Sequence, residues 1–394
     1  MDPITHGLSG AVLARVVVPS HLDERLSRTA RWTMILGSIF PDIDVVANPF
    51  DPDHFATIRI HRSVTHSLVC LPVWACLFAL LAAWFCRRRG ISAPRRGMLG
   101  VLFGTGIALH ILFDCITSFG TMVWSPISWT RVEWDWTFIA DLALTGVLLF
   151  FLLLSWVVQR AERQTQRAVW MLALMSVLVG AYAAGSYAME KPMPAWGAAA
   201  VLALAALPLM AAVRGGRVPL AARSWCCAGI LATVGYLGMD AWAHAQALER
   251  VRENAAAVNA KVVQMAAIPL PPNLAEWQGL ARTAESVYQW KISLANPPGT
   301  PSAASVVPAV RGEACPPALW TIPQVHAWLR FARFPVVVCG HAIGGDTAEF
   351  TDLRFERPAL GADATLARKR PIPFTWRVTF DGGGRVLSEG WTAE

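Results

Sequence analysis

Six apolar runs decide what this chain can fold into. They lie at roughly 66–86, 97–117, 137–158, 168–189, 195–213 and 225–246. Each approaches the about 20 residues that an α-helix needs to cross the hydrocarbon core of a bilayer. In lipid every backbone polar group must find its partner within the protein, so such runs form helices and not open strands. Two shorter apolar stretches, 4–18 and 32–47, come first and read as short spans or re-entrant half-helices. The expected fold is mainly α: a polytopic helical membrane bundle of six to eight segments. Composition agrees, since 15% of residues are charged against about 25% in soluble domains. Many of the 18 tryptophans stand near the ends of apolar runs, as in an interfacial belt. Met1-Asp2-Pro3-Ile4-Thr5-His6 lacks the basic start of a cleavable signal peptide.

The arginines orient the bundle. Segments 19–31, 87–96, 159–167 and 214–223 hold fourteen: Arg25, Arg28, Arg31, Arg87, Arg88, Arg89, Arg95, Arg96, Arg160, Arg163, Arg167, Arg214, Arg217 and Arg223. The alternating segments 48–65, 118–136 and 190–194 hold four cations, Arg59, Arg62, Arg131 and Lys191. Positive loops face the cytoplasm, so the first set is expected inside and the last span exits to the outside. The net charge of +7 is accounted for by these short loops, and no nucleic-acid motif is present.

From about 250 the chain changes character. It becomes richer in proline and polar residues, with strand-like alternation in Ser286–Ile292. Phe334–Cys339, Thr347–Phe355 and Thr375–Phe380 are further strand candidates, and Asp381-Gly382-Gly383-Gly384 reads as a hairpin turn into Arg385–Glu389. The expected organisation is a membrane-embedded domain over 1–249 and a small extracytoplasmic α+β domain over 250–394. Residues 295–318 read as a loop. Six of the eight cysteines lie in or beside apolar runs, and no CxxC occurs. Cys315 and Cys339 fall in the tail, where an oxidising compartment would let them pair or leave them as two free thiols.

With this topology the ionisable residues of the first five segments converge on one membrane face. His6 starts the first segment. Asp42 and Asp44 follow Gly37-Ser38-Ile39-Phe40-Pro41, His61-Arg62-Ser63-Val64-Thr65-His66 leads into the next run, and Asp141 opens the fifth. His110 and Asp114, spaced i, i+4, share one face of the run at 97–117. Ionisable groups at such depth are a functional-site hypothesis by default. The expected metal ligands are His6, Asp42, Asp44, His61, His66, His110 and Asp114, for one or two divalent ions. Zinc suits His and carboxylate ligands; manganese or iron would also fit a set without thiolates. A metal of this kind activates water for attack on an ester or phosphoester. In that scheme Asp44 and His66 join the catalytic groups, a spare carboxylate moves the proton, and Arg62 steadies anionic charge. Each residue also has a structural reading: His110 and Asp114 as an interhelical pair, Asp42 and Asp44 as turn residues, Asp141 as a helix N-cap.

Met1-Asp2-Pro3-Ile4-Thr5-His6-Gly7, Gly37-Ser38-Ile39-Phe40-Pro41-Asp42-Ile43-Asp44, His61-Arg62-Ser63-Val64-Thr65-His66-Ser67 and Leu109-His110-Ile111-Leu112-Phe113-Asp114 together resemble the membrane-bound metal-dependent hydrolases of the YdjM type. The resemblance covers about residues 1–145. It implies a bacterial inner-membrane protein whose polar positions are the seven residues named above. His-x-x-x-Asp is also similar to the ligand pairs of zinc-dependent phospholipase C, which implies a phosphoester. The expected function is hydrolysis of an ester or phosphoester in a lipid or lipid-linked substrate drawn from the bilayer. A transporter that handles protons or metal with the same cluster, and a stress-response membrane scaffold, are the alternatives.

Overall fold

The computed structural model describes the chain except residues 52–54, 189–194, 217, 219–220, 272–273, 301, 313–314, 343–344, 357–371, 382–383 and 393–394. Lys191 and Arg217 of the topology argument, and Gly382 and Gly383 of the expected turn, lie outside the described residues.

Helix α1 (Pro3–Val17) starts where sequence rules predict. Asp2 accepts from the Thr5 amide at 2.9 Å, and Pro3 fills the first turn. Helix α2 (Glu24–Ile39) is capped by Asp23 through the Leu26 amide. It begins earlier than the apolar stretch at 32–47 and stops at Ile39, because Pro41 has no amide hydrogen to continue the helical ladder. The chain continues as a 3₁₀ segment, Phe40–Phe50, and then the short α3 (Ala56–Arg59). Then come α4 (Leu71–Arg88), α5 (Arg96–Cys115), α6 (Leu142–Val158), α7 (Gln164–Ala188), α8 (Ala195–Val213) and α9 (Ala222–Ala257). Among the described residues, α4, α5, α7, α8 and α9 are long and apolar enough to cross a membrane; α6 is apolar but shorter.

Two glycines set the crossing of α2 and α5. A Cβ on Gly106 would stand 2.5 Å from the Met34 carbonyl oxygen, and one on Gly37 would strike the Phe103 backbone. Small residues let apolar helices approach this closely when burial from water cannot drive them together.

Helix α9 runs 36 residues, which is about 54 Å at 1.5 Å per residue and longer than an about 30 Å hydrocarbon core. Its last turns carry Ala243, Ala247, Val251 and Ala255 under Trp277, Trp290 and Ile292 of the first sheet. That sheet is an antiparallel meander of β1 (Gln264–Pro269), β2 (Glu276–Arg282), β3 (Ser286–Ser293) and β4 (Ala304–Pro308). The second sheet holds β5 (Val310–Gly312), β6 (Pro335–Ala342), β7 (Gly345–Asp352), β8 (Trp376–Phe380) and β9 (Val386–Trp391), with α10 (Pro323–Phe331) leading into it. Among the described strands, β5 and β6 pair in parallel and the other neighbours are antiparallel.

The expected strands are present, but the expected loop at 295–318 carries β4 and β5. Both lie at sheet edges, where proline is tolerated and the alternation is weak. Cys315 and Cys339 are joined in a disulfide. The core of the second sheet also takes in Phe55, Ile58 and Phe119 from the N-terminal part. Arg333 reinforces that contact through Asp135 at 2.9 Å and Glu133 at 3.2 Å, and Arg354 donates to the Ser118 carbonyl at 2.8 Å.

Candidate metal centre

Four side chains from three segments meet where α2 ends. Asp42 comes from the 3₁₀ segment that Pro41 starts, His66 from a short turn before α4, and His110 and Asp114 from adjacent turns of α5. One donor atom from each lies within 4.8 Å of the other three. The two imidazole Nε2 atoms are 3.0 Å apart. Asp114 Oδ2 stands 3.2 Å from His66 Nε2 and 3.3 Å from His110 Nε2. Asp42 Oδ1 stands 3.6 Å and 3.5 Å from the same two nitrogens. Ligand bonds of about 2.0–2.1 Å put the corners of a tetrahedron about 3.3–3.4 Å apart. The donor set can therefore hold one metal ion.

The partners behind the rings fix what these atoms offer. His110 Nδ1 lies 2.8 Å from the Ser38 carbonyl oxygen, which can only accept, so Nδ1 carries the proton and Nε2 presents a lone pair. Thr65 Oγ1 donates to Asp44 Oδ2 at 3.0 Å and so accepts from His66 Nδ1, also at 3.0 Å. In its neutral form, the one that can ligate a metal, the His66 ring then turns its Nε2 lone pair inward too. Asp114 Oδ2 and Asp42 Oδ2 are buried without a hydrogen-bond partner among the described residues. Two lone pairs and two carboxylates facing one another repel unless a cation stands among them. Burial would lower the His66 pKa, but Asp114, Asp42 and Asp44 raise it to about 10, so with no other cation present the ring itself carries the positive charge, and a bound metal would take the place of its Nε2 proton. Burial would raise Asp42 and Asp44, yet the neighbouring histidines hold both below the usual carboxylate range.

The other predicted residues surround this group. Asp44 faces His61 Nδ1 at 2.8 Å and accepts from the Arg62 amide at 3.0 Å, with His66 Nδ1 3.3 Å away. It thus ties both histidine rings to one carboxylate and touches the cluster through His66. His6 stacks on His110, with ring centroids 3.6 Å apart, and its Nε2 lies 3.3 Å from Asp114 Oδ1. Arg62 is 3% exposed, donates to Asp114 Oδ1 at 3.0 Å and to Thr117 at 2.9 Å, and lies over the Phe119 ring. Its φ of +62° is rare for a residue with a long side chain, a strain that recurs at functional sites. The Met1 amine also pairs with Asp114 Oδ1. Asp141 belongs elsewhere: it caps α6 through the Ala143 and Leu144 amides and accepts from Tyr236 at 2.8 Å.

Sequence reasoning missed the groups that orient the ligands. The Ser38 carbonyl is a backbone atom with no side-chain signature, although Gly37 and Gly106 mark the close crossing that brings it to His110. Arg131 also escaped notice. It donates to the Gly120 and Ile58 carbonyls and shares the Phe119 ring with Arg62. Its presence on the arginine-poor side was the available signal.

Beside the centre lies a cavity of about 720 Å³, with Asp42, His61 and Arg62 at its polar part and Phe40, Phe78 and Phe103 in its wall. No curated protein and no solved structure matches the chain. Residues 1–189 match the family model described as YdjM inner membrane protein. The matched region contains the whole His/Asp cluster, so it is the site-bearing part of the chain that is similar to the YdjM inner membrane protein family.

Proposed function

We propose that this is a metal-dependent hydrolase of the bacterial inner membrane, acting on an ester or phosphoester of a lipid or lipid-linked substrate. The observation that carries the reading is the convergence of His66, His110, Asp42 and Asp114 with two lone pairs and two carboxylate oxygens turned inward. Those four would hold one divalent ion, and their donor chemistry favours zinc. Such an ion supplies Lewis acidity, polarising an ester oxygen or a water.

The protein's own groups divide the remaining tasks. Ser38 and the Thr65–Asp44 pair orient the two ligand rings, as second partners of metal-bound histidines do. Arg62 offsets the charge of Asp114 and borders the cavity, where an anionic ester would find a cation. For moving the proton the geometry favours His61 over a spare carboxylate. Its Nδ1 is held by Asp44 at 2.8 Å, its ring lines the cavity, and its other nitrogen is left for substrate or water. In the topology read from the arginines this site faces outward, and the Cys315–Cys339 disulfide supports an oxidising compartment for the C-terminal region.

Metal analysis of purified protein tests the reading. Wild type should carry one divalent ion per chain and His110→Ala almost none. His61→Ala should keep its metal and lose hydrolysis of lipid phosphoesters. Wild-type protein purified without metal, and unable to take it up, would sink the proposal.

A further inference from the structure

The cavity beside the centre has two chemically different ends. Asp42, whose Oδ1 belongs to the ligand cluster, lies at one with His61 and Arg62. Apart from Thr57 and Met1, the rest of the lining is hydrocarbon. Phe78 stacks on Phe103 with centroids 4.4 Å apart, and Phe40 packs edge-on against Phe78 at 4.3 Å. Its volume of about 720 Å³ falls in the about 300–1,000 Å³ range of small-molecule sites. Leu36 and Ile43 line it while remaining 56% and 55% exposed. The approach on that side is therefore apolar, on a helix end that packs against the membrane-length α5. A water-soluble substrate would gain nothing from such an entrance, whereas an alkyl chain loses no hydration on passing from bilayer to cavity.

The C-terminal region supplies part of the lining. Phe374 borders the cavity and packs on Phe119, Phe331 and Phe355, with centroids 5.7, 5.6 and 4.8 Å away. Its φ is +60°, a conformation costly for a bulky side chain. The backbone is held there by the surrounding packing and by the Trp328 indole, which donates to the Phe374 carbonyl at 3.1 Å.

We propose that this cavity binds one hydrocarbon chain of a lipid whose anionic ester head lies at Arg62 and Asp42, and that Phe374 limits the chain from the C-terminal side. The assignment rests on the hydrolase reading for the position of the head, and it makes the C-terminal region a determinant of substrate selection. Chain binding can be observed without turnover.

The test uses full-length protein in nanodiscs and a phosphatidic acid with a diazirine near the end of one acyl chain. Cross-linked peptides and metal content are measured on the same samples. Wild type should be labelled on the wall formed by Phe78 and Phe103. Leu36→Trp, at a half-exposed position that tolerates a larger ring, should cut this labelling about tenfold by excluding about two methylenes, with metal content unchanged. Phe374→Ala should lower it by a smaller factor, again with metal retained. Labelling confined to outward residues of α4 such as Leu80 and Trp84, or unaffected by Leu36→Trp, would overturn the chain site. Metal-loaded wild type without cavity labelling removes this inference alone. Cavity labelling in wild type that binds no metal keeps the chain site and removes the hydrolase reading.

Discussion

Helices α5 and α8 are both apolar and long enough to cross a membrane, yet they are used in opposite ways. In α5, 61% of the apolar window is buried inside the protein; in α8 the share is 11%. The difference follows from a few residues. Helix α5 carries His110 and Asp114, which cannot face lipid without large cost, and Gly104 and Gly106, which let α4 and α2 close over it. Helix α8 has no ionisable residue and leaves Leu204, Leu207 and Met210 exposed. Hydropathy thus marks both as membrane helices, while small and polar residues decide which one is enclosed by protein. Asp114 is surrounded by Arg62, three histidines and the Met1 amine.

The sharpest way to break this comparison is Asp114→Ala. It removes one oxygen of the cluster and leaves the Arg62 guanidinium buried without its partner. Loss of metal is expected, with a stability cost of about 3–5 kcal/mol, read by metal analysis and thermal unfolding in nanodiscs. Retained metal at wild-type stability would reduce α5 to an ordinary packed helix.

Paired glycine substitutions come next. Gly106→Leu forces α2 away from α5, moves Ser38 from His110, and should cost about 1–3 kcal/mol with weakened metal binding. Gly180→Leu in α7, where an added Cβ meets nothing within 4 Å, should leave both measurements unchanged. Equal effects from the two would show that the crossing does not position the site.

Asp44→Asn keeps the shape but weakens the carboxylate that orients His61 and His66. Metal affinity, measured by competition with a chelator, should fall about ten- to a hundredfold with the fold retained. The smallest effect is expected from Leu204→Ala on α8, half exposed at 52%. A stability change within about 0.5 kcal/mol, as for exposed positions elsewhere, and unaltered metal binding would support an outward-facing role for that helix.

Much of the site was legible because membrane helices make polar residues conspicuous. His110 and Asp114 stood out in an apolar run, and Pro41 marked where α2 had to stop. Which of the seven grouped residues form the inner set of Asp42, His66, His110 and Asp114, and that Asp44, His61 and His6 stand around it, was not legible. One-sided placement brings seven groups to a common level, but their mutual distances depend on how α1, α2 and α5 cross. The strands at 304–312 were hidden by proline- and serine-rich composition, and the cavity wall of Phe40, Phe78 and Phe103 looked like any aromatic packing. The extent of α9 was also missed: its alanines past residue 243 carry no long apolar run, and only the sheet they support explains them.

The sequence by itself determined the helical class, the order of the apolar segments, the YdjM-type motifs and the residue types available for a metal. These follow from local chemistry: backbone pairing in lipid, proline's missing amide, and the cost of ionisable groups in hydrocarbon. Tertiary structure alone decided which donors converge, which tautomers their partners impose, and that Phe119 and Phe55 would join the core of the second sheet. Those outcomes depend on separations of a few ångströms between segments tens of residues apart, and such separations are set by how side chains pack when the helices meet.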